Sequence, residues 1–247
     1  MEVKISIITV TYNSEKYLSS TLDAVLKQEH FLYEYYIIDG SSTDETLNIV
    51  KSYIPRFKGK LKVLSEKDNG IYDAMNKGLK LVSGNVIGIV NSDDFYNENT
   101  LSNVKKAFEE DASLECLYSD AVRINTQGDE VGIMNASASG LKYGMALLHP
   151  TCFIKASVYE KIGGYDTQYR IAADYDFGMR MQYNGVVFKK SSYPLTKFRA
   201  GGASANQQKV GIRNTFDIQR HYIGIGWAIY VYFKACARLF IFGKTFD

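Results

Sequence analysis

Residues 5–13 read Ile-Ser-Ile-Ile-Thr-Val-Thr-Tyr-Asn, an apolar run that becomes polar at its end. Such a short run, rich in β-branched residues and bounded by a polar loop, predicts a strand that is buried on both faces. A helical pattern follows at residues 14–27, with Ser14 in the position of an N-cap. A buried strand followed directly by a helix is typical of a parallel sheet that helices cover.

The same alternation continues to residue 95 and then becomes less regular. Further strands are predicted at residues 35–39, 61–65, 86–90, 114–122 and 131–133. Helices are predicted at residues 43–53, 70–81, 156–162, 173–183 and 206–222. The sequence therefore predicts an α/β fold with a mostly parallel central sheet flanked by helices.

The composition excludes several classes of function. The chain has 247 residues and a net charge of +2, which is too balanced to indicate nucleic-acid binding. Its three cysteines are widely spaced, so neither a disulfide framework nor a zinc site is indicated. Neither the GxxxxGK[ST] pattern nor the GxGxxG pattern of phosphate-binding loops is present.

The C-terminal segment, residues 222–242, is rich in apolar and aromatic side chains. Lys234 and Arg238 interrupt it at a spacing of four residues, whereas a membrane-spanning helix needs about 20 mainly apolar residues. This pattern favours an amphipathic helix that lies on a membrane surface. The alternatives are a helix packed on the protein's own core and a helix buried in an oligomer.

Four acidic residues stand where predicted strands end. Asp39 ends the second strand, Asp68 follows the third, and Asp93 and Asp94 follow the fourth. Because parallel sheets bind ligands at the carboxyl ends of their strands, these side chains are expected to share one cleft. Clustered carboxylates repel one another unless a cation compensates them, which suits Mg²⁺ or Mn²⁺ with a bound diphosphate. Alternatively, Asp93 and Asp94 cap a helix that starts near residues 97–100.

Several segments resemble those of the inverting nucleotide-sugar glycosyltransferases of family two, which have the GT-A fold. The resemblance covers residues 1–200, and the segments follow the family's order. They are residues 5–13, 38–44 (IDGSSTD), 66–78 (EKDNGIYDAMNKG), 91–94 (NSDD), 149–150 (HP), 159–166 (YEKIGGYD) and 173–176 (ADYD).

The resemblance implies roles for the matching residues of the donor site. Tyr12 stands where the family packs the nucleotide base, and Asp39 stands where a carboxylate accepts a hydrogen bond from the base. Asp68 lies in the segment that lines the pocket beside the base and the diphosphate.

Residues 91–94 occupy the family's DxD position. There the resemblance implies that Asp93 faces the ribose and that Asp94 binds the divalent metal, Mn²⁺ or Mg²⁺. Asn91 replaces an aspartate that the family often has, and its neutral amide is a weaker ligand.

Asp174 matches the family's catalytic base, which takes the proton of the acceptor hydroxyl during attack on the anomeric carbon. The family usually has an acidic residue where Ala173 stands, so Asp176 remains a second candidate. Asp174 also has a structural explanation, since a carboxylate in the first turn of a helix is favoured by the helix dipole.

Two further segments have open interpretations. His149 contacts the acceptor or the diphosphate, or it is a hydrogen-bonded histidine of the core. Residues 201–204 (GGAS) follow Lys197 and Arg199, and they form either a lid over the diphosphate or a plain loop.

The predicted protein is a metal-dependent inverting hexosyltransferase that uses a nucleoside diphosphate sugar, with UDP expected. Its acceptor is a glycan or lipid-linked glycan in bacterial surface polysaccharide or lipopolysaccharide synthesis. Residues 1–205 form the GT-A catalytic domain, with a nucleotide-binding half at 1–95 and an acceptor half at 96–205, and residues 206–247 form a helical tail. The predicted location is the inner face of the cytoplasmic membrane, contacted through residues 222–242, and a homo-oligomer is left open.

Two alternative functions remain. A sugar nucleotidyltransferase would also use a parallel sheet and a metal, but it would usually carry a glycine-rich basic loop after the first strand. A non-catalytic nucleotide- or sugar-binding membrane module would not need Asp174.

Overall fold

The computed structural model describes residues 2–199 and 207–242. The strands are β1 (Ile5–Thr11), β2 (Leu32–Asp39), β3 (Leu61–Ser65), β4 (Val86–Ile89), β5 (Phe95–Tyr96), β6 (Cys116–Tyr118), β7 (Ala121–Ile124), β8 (Glu130–Met134), β9 (Phe153–Lys155), β10 (Phe188–Lys190) and β11 (Thr196–Arg199). The α-helices are α1 (Leu18–Leu26), α2 (Thr46–Tyr53), α3 (Ile71–Leu81), α4 (Thr100–Glu110), α5 (Ala156–Ile162), α6 (Ala173–Tyr183), α7 (Gln208–Tyr222) and α8 (Ile225–Phe242).

The central sheet has seven strands in the order β10-β6-β9-β4-β1-β2-β3. Strand β1 is parallel to β2 and β4, and β2 is parallel to β3. Strand β9 is antiparallel to both of its neighbours. The prediction of a mostly parallel sheet flanked by helices is therefore confirmed.

Strand β1 is buried along its whole length because helices cover both faces of the sheet. Successive side chains of a strand point to opposite faces, so Ile8 packs under α3 and α6 while Ile7 packs under α1, α2 and α4. Helix α3 approaches β1 closely at Gly78, where a Cβ would lie 2.7 Å from Cγ2 of Ile8. This packing fixes the position of the loops at the carboxyl edge.

A second sheet with the order β5-β11-β7-β8 adjoins the first, and the sequence pattern did not predict it. The single strand predicted at residues 114–122 is wrong, because β6 and β7 are separated at Ser119. This serine is fully buried, its backbone N–H donates to Oγ1 of Thr151, and its Oγ accepts from the backbone N–H of Leu195. These long-range bonds bring β11 beside β7.

The predicted start of α1 and the alternative cap of the helix near residues 97–100 also differ from the structure. Helix α1 begins at Leu18 rather than at Ser14, whose Oγ instead lies 2.8 Å from Oγ of Ser92. This contact joins the loop after β1 to the loop after β4. Helix α4 begins at Thr100 after the short strand β5, and no side chain caps it, so Asp93 and Asp94 are not its cap.

Helices α7 and α8 form a hairpin that turns at Gly224, which has a φ of +122°. Helix α7 lies against α6, where Tyr222 donates a hydrogen bond to Asp176 over 3.2 Å. Among the helices of the described residues, none is both long enough and apolar enough to cross a membrane. The predicted domain boundary at 205–206 and the predicted lid at 201–204 lie outside the described residues.

Candidate active site

The carboxyl ends of β1, β2 and β3 are joined by the buried carboxylate of Asp39. It accepts hydrogen bonds from Oγ1 of Thr11 at 3.1 Å and from Oγ of Ser65 at 2.7 Å. Both the backbone N–H and the hydroxyl of Ser42 donate to it as well. Asp39 therefore holds the loop after β2 in place, and its contact with a nucleotide base stays a prediction.

Tyr12 and Asp68 face each other across Gly40. A Cβ at this glycine would lie 2.5 Å from Oδ2 of Asp68 and 3.4 Å from Cδ2 of Tyr12. Tyr12 is 64% exposed, and Asp68 is partly exposed with its Oδ1 bound to the backbone N–H of Gly70. The structure thus places an open aromatic face beside a carboxylate oxygen, an arrangement that suits a planar base with N–H donors.

Asp93 and Asp94 follow β4, but their surroundings differ. Asp94 is 1% exposed, its Oδ1 accepts the backbone N–H of Arg199 at 2.8 Å, and its Oδ2 accepts Nδ2 of Asn91 at 2.9 Å. Asp93 is partly exposed, and no other described residue donates a hydrogen bond to its carboxylate. Burial raises the pKa of both carboxyls, and the neighbouring charge of Asp93 raises the pKa of Asp94 further.

This difference bears on the predicted division of roles between the two residues. Asp94 is buried and each of its carboxylate oxygens already accepts a hydrogen bond inside the protein, whereas the carboxylate of Asp93 is partly exposed. The geometry therefore disfavours Asp94 as the direct metal ligand and leaves Asp93 as the accessible carboxylate.

Arg199, at the end of β11, contacts the loop that carries Asp93 and Asp94. Its guanidinium stacks 4.1 Å from the ring centroid of Tyr17, and its Nε donates to the carbonyl of Asp93. A second arm of the guanidinium donates to the carbonyl of Asn125. The sequence interpretation named Arg199 only as a cation that precedes residues 201–204, and the structure shows it 5% exposed. The sequence around Asp93 and Asp94 contains no pattern that would identify Arg199 as their partner.

The residues present fit a divalent cation that both the protein and the substrate bind, and they do not fit a site made of protein ligands alone. Among the residues that the structure describes, no group of three or more His, Cys, Asp or Glu side chains could hold a metal ion. Asp93 and Asp94 nevertheless form a desolvated pair of like charges, which a cation would compensate. Magnesium and manganese sites of this kind take one or two carboxylates and complete their shell with phosphate oxygens and water.

The segment at residues 68–78 connects the carboxyl edge of the sheet to the second half of the chain. Asn76 exchanges two hydrogen bonds of 2.8 Å with the backbone of Tyr165. Tyr72 donates a hydrogen bond of 2.9 Å to Oδ1 of Asp174, and its hydroxyl also lies 2.9 Å from the carbonyl of Ile171. Tyr72 belongs to the segment that carried the family resemblance, but the sequence interpretation gave it no role.

Asp174 and Asp176, the two candidate bases, have different environments. Asp176 is 4% exposed and forms an ion pair of 2.8 Å with Arg180, which also donates to the carbonyls of Ile162 and Gly164. Asp174 has no cationic partner among the described residues, and burial raises its pKa while the hydrogen bond from Tyr72 opposes that rise. A raised pKa without a neutralising cation suits a general base, so the geometry favours Asp174 over Asp176.

His149, the remaining predicted site residue, contacts Tyr165. Its Nε2 is 2.6 Å from the hydroxyl of Tyr165, and burial lowers the pKa of its ring to about 4. The ring is therefore neutral at physiological pH, as in the alternative of a hydrogen-bonded core histidine. Its contact with an acceptor or diphosphate stays a prediction.

Comparison with known proteins shows the family of this chain. The sequence model of the family described as "Glycosyl transferase family 2" matches residues 6–181, a span that contains the acidic pair and Asp174. The chain belongs to glycosyltransferase family 2. A relative from Mycobacterium tuberculosis, a PGL/p-HBAD biosynthesis glycosyltransferase, is 31% identical over 176 residues, which are 71% of this chain and 68% of that protein.

Two further relatives match this chain over smaller parts of their own length. The poly(ribitol-phosphate) beta-N-acetylglucosaminyltransferase TarS of Staphylococcus aureus is 33% identical over 128 residues, covering 51% of this chain and 21% of that protein. Chondroitin synthase of Escherichia coli is 28% identical over 184 residues, covering 73% of this chain and 27% of that protein.

The solved structures include one of S. aureus TarS residues 1–349 in complex with UDP. It superposes with a TM-score of 0.68 at 22% sequence identity, over 97% of this chain and 72% of that chain. The likeness confirms the predicted GT-A fold.

Proposed function

We propose that this family 2 glycosyltransferase moves a hexose-type sugar, with inversion, from a nucleoside diphosphate sugar to a hydroxyl of a glycan or lipid-linked glycan. UDP is the proposed nucleotide, because a structure of the similar TarS contains UDP. The proposed setting is the synthesis of bacterial surface polysaccharide or lipopolysaccharide.

The observation that carries this proposal is the hydrogen bond between Tyr72 and Asp174. Tyr72 follows Asp68, a proposed donor contact, by four positions, so this bond links a carboxylate of the second half to the segment that begins at Asp68. In the proposed step, Asp174 accepts the proton of the acceptor hydroxyl as its oxygen bonds to the anomeric carbon. The bond between that carbon and the diphosphate oxygen breaks on the opposite side, which inverts the configuration.

A divalent cation, Mn²⁺ or Mg²⁺, would be held by Asp93 and would supply positive charge to the leaving diphosphate. We assign this contact to Asp93 because its carboxylate is the accessible one of the pair. Asp94 keeps the loop in shape through its bonds to Asn91 and Arg199. Tyr12 and Asp68, the two side chains beside Gly40, would then hold the nucleotide base.

Asp174→Asn is the decisive variant, since it keeps the shape of the side chain and removes the base. We expect it to retain UDP binding, measured as the rise in melting temperature with and without Mn²⁺, because a ligand of the native state stabilises it. Transfer from a panel of nucleoside diphosphate sugars should fall by a factor of about 10² or more. Full transfer by this variant would refute the proposed base, and loss of both properties would point to misfolding.

Two comparisons complete this test. Asp176→Asn is the matched control, because it removes a neighbouring carboxylate that already has a cationic partner. If the native chain binds UDP but transfers no sugar to any acceptor, the alternative of a non-catalytic binding module is favoured. Membership of family 2 argues against the sugar nucleotidyltransferase.

The membrane contact through α8 is also part of this proposal. Ile225, Ile229, Phe233 and Phe240 recur at helical spacing on one face of α8 and are 44–91% exposed. Lys234 and Arg238 lie on the opposite face, so the apolar stripe is free to enter the acyl boundary of a bilayer. The proposed site of action is accordingly the inner face of the cytoplasmic membrane.

Flotation with anionic lipid vesicles tests this contact. Phe233→Glu places a charge in the apolar stripe and is expected to reduce vesicle binding at least tenfold. Tyr193→Glu is the matched control, since Tyr193 is 67% exposed and Phe233 is 68% exposed, but Tyr193 lies far from the stripe in sequence. Equal vesicle binding by both variants and the native chain would rule out α8 as the contact.

A further inference from the structure

A groove of about 300 Å³ lies between α7 and α8, at the lower end of the volumes found for small-molecule sites. Aromatic rings form its walls. Tyr143 and Trp227 have ring centroids 5.4 Å apart, and so do Phe216 and Tyr232. The groove shares no lining residue with the donor cleft or with Asp174.

Two polar atoms among the groove residues are buried without a hydrogen-bond partner. They are Oε1 of Gln219, an acceptor, and Nε1 of Trp227, a donor. Gln219 is fully buried, and its Nε2 already donates to the hydroxyl of Tyr175. An unsatisfied buried polar atom costs free energy, so the unpartnered donor of Trp227 indicates a ligand with an acceptor group.

Two cations stand at the edge of the same groove. Lys234 and Arg238 line it, one helical turn apart, and neither has an ion-pair partner within the described part of the chain. Residues 207–242 carry five Lys and Arg against one Asp, whereas the whole chain has a net charge of only +2. The groove therefore combines apolar walls with an uncompensated positive edge.

The groove is also connected to the catalytic side of the molecule. Gln219 donates to Tyr175, whose hydroxyl donates to the carbonyl of Leu141 over 2.9 Å. Tyr175 directly follows Asp174, the proposed base, on α6. A molecule held between α7 and α8 thus lies behind the helix that carries the base.

We propose that this groove binds a lipid phosphate, with its apolar chain along the aromatic walls and its phosphate at Lys234 and Arg238. The occupant is the lipid end of a lipid-linked acceptor, so this inference rests on the proposed transfer to such an acceptor. Charge complementarity favours this occupant over a second copy of the chain, since a second copy would bring the same cations against these two. The phosphate oxygens would accept from the two cations, and Nε1 of Trp227 would find an acceptor.

Ligand binding to this groove can be followed without an added label, because the groove contains a tryptophan. Trp227 is the only tryptophan of the chain, so intrinsic tryptophan fluorescence reports on the groove alone. We would titrate the full chain with dodecyl phosphate below the concentration at which it forms micelles. The expected result is a saturable fluorescence change, with dodecanol binding at least tenfold more weakly and inorganic phosphate giving no change.

Three variants make the test specific. Lys234→Gln and Arg238→Gln are each expected to weaken dodecyl phosphate binding about tenfold, since charge-assisted hydrogen bonds are roughly twice as strong as neutral ones. Lys209→Gln removes an exposed cation of α7 that does not line the groove, and it should leave binding unchanged. All three variants retain Trp227 and therefore the signal.

Two results would overturn the proposal. Equal affinity for dodecanol and dodecyl phosphate would show that the cations do not select a phosphate. Vesicles of phosphatidylglycerol that compete with dodecyl phosphate at equal phosphate concentration would assign the groove to bulk lipid rather than to an acceptor. UDP binding, followed by melting temperature, is measured in parallel, so failure of the groove and failure of the donor site remain separate results.

Discussion

Replacement of Tyr72 by phenylalanine should move the acid limb of transfer activity to higher pH. Burial raises the pKa of Asp174, and the hydrogen bond from Tyr72 opposes that rise because it stabilises the charged carboxylate. Removing the hydroxyl therefore raises the pKa of Asp174 further. A base acts only when it is deprotonated, so activity is lost as the pH falls through this pKa, and the loss begins at higher pH in Tyr72→Phe.

The size of the shift follows from the geometry at the Tyr72 hydroxyl. A hydrogen bond to a charged group contributes about 1.5–3 kcal/mol, and one pKa unit corresponds to about 1.36 kcal/mol. The single proton of Tyr72 is shared between Asp174 and the carbonyl of Ile171, both at 2.9 Å, so the lower end of the range applies. The expected displacement is about one pH unit.

The assay measures kcat for sugar transfer between pH 5 and pH 9, at saturating donor and acceptor. Tyr35→Phe is the matched control, because Tyr35 is also a fully buried tyrosine and its hydroxyl lies 2.9 Å from Oγ1 of Thr9, away from Asp174. The control should lose stability without any shift of the acid limb. An acid limb that stays in place in an active Tyr72→Phe variant would refute the role of Tyr72 in setting the pKa of Asp174, the proposed base.

Three further perturbations have definite expected results. Asp93→Asn should abolish the Mn²⁺-dependent part of UDP binding, whereas Asp94→Asn should keep most of it. Because the folded-state pKa of Asp94 is raised, ionisation of this carboxyl destabilises the fold as the pH rises above about 4. Asp94→Asn should therefore melt no lower than the native chain at pH 7.5, and any gain in its melting temperature should disappear near pH 4. Gly40→Ala should push Asp68 aside and weaken UDP binding about tenfold by calorimetry, without unfolding, because the crowded atom ends a side chain. Asp176→Asn breaks the ion pair with Arg180 at a cost of about 3 kcal/mol, seen as a lower melting temperature with near-normal kcat.

Local patterns were sufficient where an element is determined by its own residues. The bounds predicted for β3, α5 and α6 agree with the structure, and a closing glycine or asparagine marks the end of both helices in the chain. The convergence of Asp39 and Asp68 at one edge was predictable from the parallel topology alone. The fold class followed from the same alternation of strands and helices.

Long-range contacts account for what the sequence did not predict. Ser14 looked like a helix cap, but its hydroxyl is used by Ser92, so α1 begins later. The role of Arg199 and the burial of Asp94 depend on β11 pairing with β7, a contact between short strands far apart in the chain. Such pairings leave no periodic signal within either segment.

The hydrogen bond from the backbone of Arg199 to Asp94 spans 105 positions of the chain, and this has a consequence for biosynthesis. At a translation rate of about 5–20 residues per second, the ribosome adds those residues in about 5–20 s. During that interval the nascent chain already contains every strand of β1 to β4, but the carboxylate of Asp94 has no backbone donor from β11. The loop that carries Asp94 therefore gains this hydrogen bond only after β11 has been synthesised.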